Sequence, residues 1–515
     1  MPPMSDSTAL SGPAQSYHEL CTYLRETALL ESTQQLLEWD ERTMLPPGGG
    51  EYRAEQIALA ARLVHERRTS PQIGQWLAEL ADWDEASDRH GDVGCTLYWV
   101  ARDYDKLCKV PTDLVEALSY QTTLGQQAWA EARQQDDFRS FEPHLKRIVE
   151  LKREQAQAVG FEQTPYDALL DDYEPATSTE QVGRVLGALR DALVPLVQRL
   201  VDSPRQPDSS ILRRHYPVET QREFASRVVA RMGFDFDRGR LDPTSHPFCT
   251  SLGPNDCRIT TRYDEHYFSS AFFGTLHEAG HGMYDQGLPG DAYGLPPGQY
   301  ISLGIHESQS RLWENLVGRR RSFWRHFFPE ARSAFVPSLD DVSWEAFHFA
   351  VNAVRPSLIR VEADEVTYNL HIVIRFELER ALIEGDLAVG DLPGAWNDAY
   401  EETLGIRPPN DADGVLQDIH WSAGLFGYFP TYSLGNIIAA QLFDAAKRDL
   451  GDLDASFAEG DFRPLLAWLR EQVHRHGRRY LPQELVERAT GGPIDQGALL
   501  DDLEQRIGTL YDGPS

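Results

Sequence analysis

Apolar residues recur at three- and four-residue spacing along nearly the whole chain, and this periodicity constrains the fold more than any other feature. "SYHELCTYLRETALLESTQQLLEWD" (16–40) carries the pattern up to the Pro/Gly breaker "MLPPGGG". "EYRAEQIALAARLVHERR" (51–68) resumes it, and helical runs follow over 72–84, 92–108, 111–134 and 142–159. Ser178 and Thr179 offer caps for a helix through 202, and "VETQREFASRVVARMGF" fits another. One stretch departs from the rule. In "DCRITTRY", Cys257, Ile259, Thr261 and Tyr263 alternate with Asp256, Arg258, Thr260 and Arg262 after a Gly-Pro-Asn turn. That is a period of two with β-branched residues, so a small strand or hairpin is expected within 246–268. Its free edge would accept an extended peptide.

Length and composition narrow the class. The 515 residues are 41% apolar and 10% aromatic, enough for a large packed core. No internal repeat or low-complexity linker appears, so a single helical domain over 15–510 is expected, preceded by a disordered tail, 1–14. No apolar run is long enough to span a membrane, and the start lacks the basic and apolar regions of a secretory signal. Five cysteines (Cys21, Cys95, Cys108, Cys249, Cys257) lie scattered without CxxC spacing, which points to a reducing compartment, the cytoplasm. The net charge is −31, and only Lys106, Lys109, Lys146, Lys152 and Lys447 are lysines. Such a field repels nucleic acid and anionic lipid. Its origin has two readings: adaptation to a saline cytoplasm, or a GC-rich genome favouring Arg codons.

The stretch "TLHEAGHGMYDQG" (275–287) follows the strand. Ser269 and Ser270 are candidate caps for a helix beginning at Ala271 and ending at Gly287. His277 and His281 then share one face a turn apart, within reach of one Zn²⁺. Glu278, about 100° around the helix, can stand beside the ion as general base without ligating it. Gly287 stands where a metzincin would carry its third histidine, which excludes that class. The helix expected in "SLGIHESQSRLWENLVGR" (302–319) offers His306, Glu307 and Glu314, and spacing does not choose among them. A glutamate there would complete a His₂Glu site of the catalytic kind.

Taken together, the ordered motifs resemble one family. "HPF" (246–248), "DCRIT" (256–260), "HEAGH" (277–281), "HESQ" (306–309), "IRVEAD" (359–364) and "GVLQDIHW" (414–421) are similar to those of the thermostable carboxypeptidases, the carboxypeptidase Taq family. "LEWDERTMLPPGGGEYRAEQ" (37–56) has the same look, and the similarity spans about residues 15–505. The resemblance implies a mainly α gluzincin fold with a deep central groove, like neurolysin and angiotensin-converting enzyme, and a small sheet beside the zinc helix. It implies zinc ligands His277, His281 and Glu307, with Glu278 as base and cobalt as an accepted substitute. It implies a homodimer that removes C-terminal residues from peptides with broad specificity and disfavours C-terminal proline.

Other motifs carry their own chemistry. Arg360 can fork onto a substrate's terminal carboxylate, or form an ion pair with Asp364 four residues on; the resemblance favours the first. His420, Trp421, Tyr428 and Tyr432 supply donors able to meet a tetrahedral oxyanion, with His420 and one tyrosine expected to act. Asp256 and Arg258 are assigned to the groove floor, and Glu314 to a core or surface role. Asp285 is either a partner that orients His281 or a solvated residue. Two other functions stand against the carboxypeptidase: an oligopeptidase of the same chemistry, and a catalytically silent peptide-binding scaffold.

Overall fold

The computed structural model describes residues 11–513. Helix α1 (Pro13–Thr43) packs along α2 (Gly50–Arg68). With α3 (Pro71–Leu80) and α4 (Asp92–Lys109), α1 encloses a small separate core of Leu20, Ile73, Trp76, Leu80, Leu97 and Val100. Helices α5 (Thr112–Gln135) and α6 (Phe138–Val159) pair next, followed by α7 (Pro165–Leu170), α8 (Thr179–Val201) and α9 (Val218–Met232). The cap expected at Ser178 is present: its hydroxyl accepts the Gln181 N–H while the Gln181 side chain accepts the Ser178 N–H. Most of the expected tail, residues 1–10, lies outside the described residues, and Pro13 already opens α1.

The period-two stretch forms part of a three-stranded sheet ordered β1–β3–β2. Strand β1 (Gly239–Pro243) runs parallel to β3 (Cys257–Thr261), and β2 (Cys249–Ser251) is antiparallel to it. The strand expected to offer a free edge is therefore the central one. Both its flanks are hydrogen-bonded, and any peptide addition falls to β1 or β2. Cys257, Ile259 and Thr261 are buried, and β3 packs against α10 (Phe268–Asp285), the helix that carries the two histidines. This helix begins at Phe268, ahead of the expected start, and its N-cap residue Tyr267 makes no side-chain cap. Ser269 and Ser270 thus lie inside the first turn; tertiary packing of Phe268, Phe272 and Phe273 sets the start instead.

Helix α11 (Leu303–Arg311) crosses α10, and a π-helical turn, Leu312–Val317, extends it. Then come α12 (Arg321–Ala334), α13 (Trp344–Val351), α14 (Glu365–Glu384), α15 (Leu392–Leu404) and α16 (Pro430–Leu450), with shorter helices to Asp512. Two glycines set the spacing around α11. A Cβ on Gly280 of α10 would lie 2.6 Å from the Gln309 carbonyl oxygen, and one on Gly435 of α16 would lie 2.4 Å from Glu307 Cγ. Glycine lets both helices approach α11 closely, so Glu307 is brought against α10. A main apolar core runs from Cys95 to Tyr511 around these helices. Among the described residues, no helix is long and apolar enough to cross a membrane.

Candidate metal centre

The one-turn spacing on α10 places His277 and His281 side by side, with ring centroids 4.9 Å apart. The crossing of α11 brings Glu307 to them. Its Oε2 lies 3.6 Å from His277 Nε2 and 3.4 Å from His281 Nε2. Ligands held about 2.0–2.2 Å from one tetrahedral ion sit about 3.3–3.6 Å from each other, so these three atoms are spaced to hold one. Two imidazoles and a carboxylate form the donor set of a catalytic zinc site, with a fourth position left for water. Of the three residues that spacing left open, Glu307 is the one whose carboxylate joins the histidines.

The other two candidates act on the far side of the rings. Glu314 Oε2 accepts the hydrogen bond of His277 Nδ1 at 2.9 Å, and the carbonyl oxygen of His306 accepts that of His281 Nδ1 at 3.0 Å. Both contacts fix the tautomer that leaves Nε2 free to ligate. Glu314 therefore has a definite task, not the core or surface role expected of it. Its seven-residue offset from Glu307 was the available signal, and the π-helical turn places it. Asp285 holds His306 Nε2 at 3.1 Å and does not meet His281, which corrects the expectation that it orients that histidine or is solvated.

The charges are buried and mutually compensated. Arg311, which sequence reading missed, donates through Nε to Glu307 Oε1 at 2.7 Å and through Nη1 to Glu314 Oε2 at 3.1 Å. Burial opposes the Glu307 charge, but Arg311 and the two histidines outweigh it and hold the carboxyl well below its ordinary range. Glu314 is lowered by the same balance, again chiefly through Arg311. Burial brings His281 down to about 4, so its imidazole is neutral and able to ligate. Glu278 differs: burial raises it to about 7 against the opposing charge of His277. A carboxyl poised near neutrality suits proton transfer in both directions.

A second polar layer faces this cluster from α14, α16 and the loop before α16. Arg360, 5% exposed, donates through Nε and Nη2 to Asp418 Oδ1 at 3.0 and 2.7 Å, and through Nη1 to the Tyr368 hydroxyl at 3.1 Å. The structural partner is thus Asp418 and not Asp364, which caps α14 by accepting the N–H groups of Val366 and Thr367. Arg375 grips the other oxygen of Asp418 at 2.7 Å. His420 Nε2 meets the Tyr432 hydroxyl at 3.2 Å, while its buried Nδ1 has no hydrogen-bond partner. Burial lowers His420 to about 3, so it is neutral. The Tyr428 and Tyr432 rings lie 5.4 Å apart, and burial pushes the Tyr428 phenol up to about 12, with Glu307 adding to the rise. Asp256 and Arg258 form a fork with each other at 2.9 and 3.0 Å, and Arg258 lies over Trp39 of α1. That pair faces α1, on the side of the sheet away from the histidines.

Comparisons with known proteins identify relatives over nearly the whole chain. Residues 19–507 match the carboxypeptidase Taq (M32) metallopeptidase family. The chain is 48% identical over 509 residues to thermostable carboxypeptidase 1 of Thermus thermophilus, covering 97% of this chain and 99% of the relative. It is 38% identical to carboxypeptidase 1 of Bacillus subtilis, covering 92% and 95% of the two. The crystal structure of the carboxypeptidase from Deinococcus radiodurans superimposes with a TM-score of 0.93 at 42% identity, over 97% of this chain and all of the other.

Proposed function

The chain belongs to the carboxypeptidase Taq family of metallocarboxypeptidases, and on that premise we propose that it uses zinc at His277, His281 and Glu307 to release C-terminal residues from peptides, with Glu278 as general base. The observation that carries the reading is the convergence of three ligand atoms beside the buried carboxyl of Glu278. Zinc at this position supplies a Lewis acid that polarises the scissile carbonyl and makes water easier to deprotonate. Glu278 accepts the proton that the attacking water loses and passes it to the departing amine. Glu314 and the His306 carbonyl hold the two imidazoles in place, and Arg311 keeps Glu307 ionised. His420 and Tyr428 or Tyr432 are the donors for the oxyanion; Tyr432, already bonded to His420, is the tyrosine whose position His420 fixes.

Substrate recognition rests on Arg360. Three of its N–H groups are engaged by Asp418 and Tyr368, and the guanidinium has further donors for a terminal carboxylate. Asp418, gripped from both sides by Arg360 and Arg375, holds the fork rigid. Amidation of the peptide terminus should cost the wild type roughly 2 kcal/mol or more in transition-state stabilisation. Arg360→Ala removes the cation while Arg375 keeps Asp418 paired, so it should lose a similar amount on the free acid and be nearly indifferent to the amide. Mass spectrometry of products from a mixed peptide set reads both effects and shows whether residues leave singly. Equal cleavage of acid and amide would move the assignment to an oligopeptidase of the same chemistry.

The family resemblance supports broad specificity, a dislike of C-terminal proline, acceptance of cobalt and a homodimer. Leu29, Tyr52 and Leu59, 61%, 69% and 50% exposed on α1 and α2, are candidate dimer contacts. All five cysteines are free, which supports the cytoplasm as location, and the net charge of −31 argues against a nucleic-acid partner.

A further inference from the structure

A second cluster of metal-ligating side chains lies where the hairpin meets the end of α10, outside the site described above. Cys249 of β2, Cys257 of β3 and Asp285, the last residue of α10, place one donor atom each within 4.8 Å of one another. The two Sγ atoms are 3.7 Å apart, and Cys249 Sγ is 4.0 Å from Asp285 Oδ2. Two thiolates on one tetrahedral zinc, each about 2.3 Å from it, stand about 3.8 Å apart, so the sulfurs already have the spacing of co-ligands.

The strand register decides against a disulfide. Cys249 pairs with Ile259, and Ser251 pairs with Cys257. The cysteines are therefore diagonal neighbours on one face, with Cα atoms about 7–8 Å apart, beyond the roughly 4.4–6.8 Å that a disulfide spans. An ion bridges that gap where a sulfur–sulfur bond does not. The surroundings favour a cation. The Gly282 carbonyl, in the last turn of α10, faces Cys257 Sγ at 3.8 Å, and the C-terminal end of a helix dipole is negative. Asp285 is held by its other oxygen, Oδ1, to His306 Nε2 at 3.1 Å, which leaves Oδ2 turned toward Cys249. Such a carboxylate–histidine pair orients ligands in metal sites.

From this arrangement we infer that Cys249, Cys257 and Asp285 form a second metal site, for a thiophilic divalent cation of the zinc class, which staples the β2–β3 hairpin to the end of the zinc-ligand helix. Water completes its coordination. Binding expels the thiol protons and joins hairpin and helix through the ion. The site adjoins the catalytic centre, because the His306 that holds Asp285 also accepts the hydrogen bond of His281 through its carbonyl. Its existence does not depend on the catalytic reading.

Cobalt(II) titrated into the metal-depleted, reduced full chain tests the assignment. Two ions per chain should bind, one of them producing the thiolate-to-cobalt charge-transfer absorption that imidazole and carboxylate ligands do not give. Glu307→Ala should lose one ion and keep that absorption; the Cys249→Ser/Cys257→Ser double variant should lose the absorption and one ion while keeping the other. Asp285→Asn, which retains both sulfurs, should keep the absorption but weaken the affinity roughly tenfold or more. Absence of the absorption at excess cobalt would overturn the site. So would its persistence in the Cys249→Ser/Cys257→Ser double variant, which would assign it to Cys21, Cys95 or Cys108, or an Asp285→Asn affinity equal to wild type. A reduced-to-native mass difference of two hydrogens mapped to Cys249 and Cys257 would establish the disulfide instead.

Discussion

Helices α1 and α10 obey the same backbone rules, yet they bury very different shares of their surface. Of the 31 residues of α1, only Leu20, Cys21, Thr27 and Trp39 are buried. Twelve of the 18 residues of α10 are, and Glu278 is among them. Ion pairs on the first region, such as Arg67–Glu26 and Arg68–Glu31, are solvated on at least one side. Those around the second, Arg311–Glu307 and Arg311–Glu314, are shielded on both. Exposed pairs contribute roughly 0–1 kcal/mol, whereas a buried charge that loses its partner costs about 3–5 kcal/mol. α10 and α11 therefore carry a linked set of buried charges in which each member is needed by the others, while the solvated ion pairs of α1 and α2 can be lost one at a time at little cost.

The largest effect expected is at Glu278. Glu278→Gln removes the proton acceptor but no ligand, so turnover should fall about 10²–10⁴-fold with bound metal unchanged by elemental analysis. Undiminished turnover would take the base assignment away from this residue. Next is Glu314. Glu314→Gln should lower metal affinity roughly 10–100-fold, because a neutral amide oxygen replaces the charged carboxylate that accepts from His277 Nδ1, measured by chelator competition. It should also lower the denaturant midpoint, since Arg311 and His277 lose a buried counter-charge. Unchanged affinity would return Glu314 to a purely structural part and weaken the contrast between the two helices.

Smaller effects are expected on the exposed side. Leu29→Ser with Leu59→Ser should change unfolding free energy of the protomer by no more than about 0.5 kcal/mol each, while shifting the mass seen in sedimentation toward the monomer. A large loss of stability there, with the mass unchanged, would mean that α1 and α2 are core elements of the protomer. The smallest is the response to salt. If the −31 charge reflects a saline cytoplasm, the melting temperature should rise by a few degrees as KCl goes from dilute to molar, because screening relieves self-repulsion. A flat or falling trend would assign the acidity to genome composition.

Local chemistry made much of this molecule legible in its sequence. The three- and four-residue periodicity announces the helices, the Ser178 capping box marks where α8 begins, and alternation in "DCRITTRY" marks the strand, because each depends on residues near one another in the chain. The His277–His281 pair with Glu278 follows from helical geometry alone. What the sequence left open concerns partners distant in the chain. Glu307 joins the histidines, and Glu314 the back of His277, only because Gly280 and Gly435 let α10 and α16 close on α11 and a π-helical turn shifts the register. Arg360 meets Asp418, 58 residues away, and not Asp364. The strand read as an edge became the centre because β1, a strand with no alternation to reveal it, pairs along its other side. Cys249 and Cys257 look scattered until the hairpin register sets their sulfurs 3.7 Å apart. Helix and strand are set by interactions over a few residues; charge partners and ligand sets are set by which elements pack, and packing is decided by the whole chain at once.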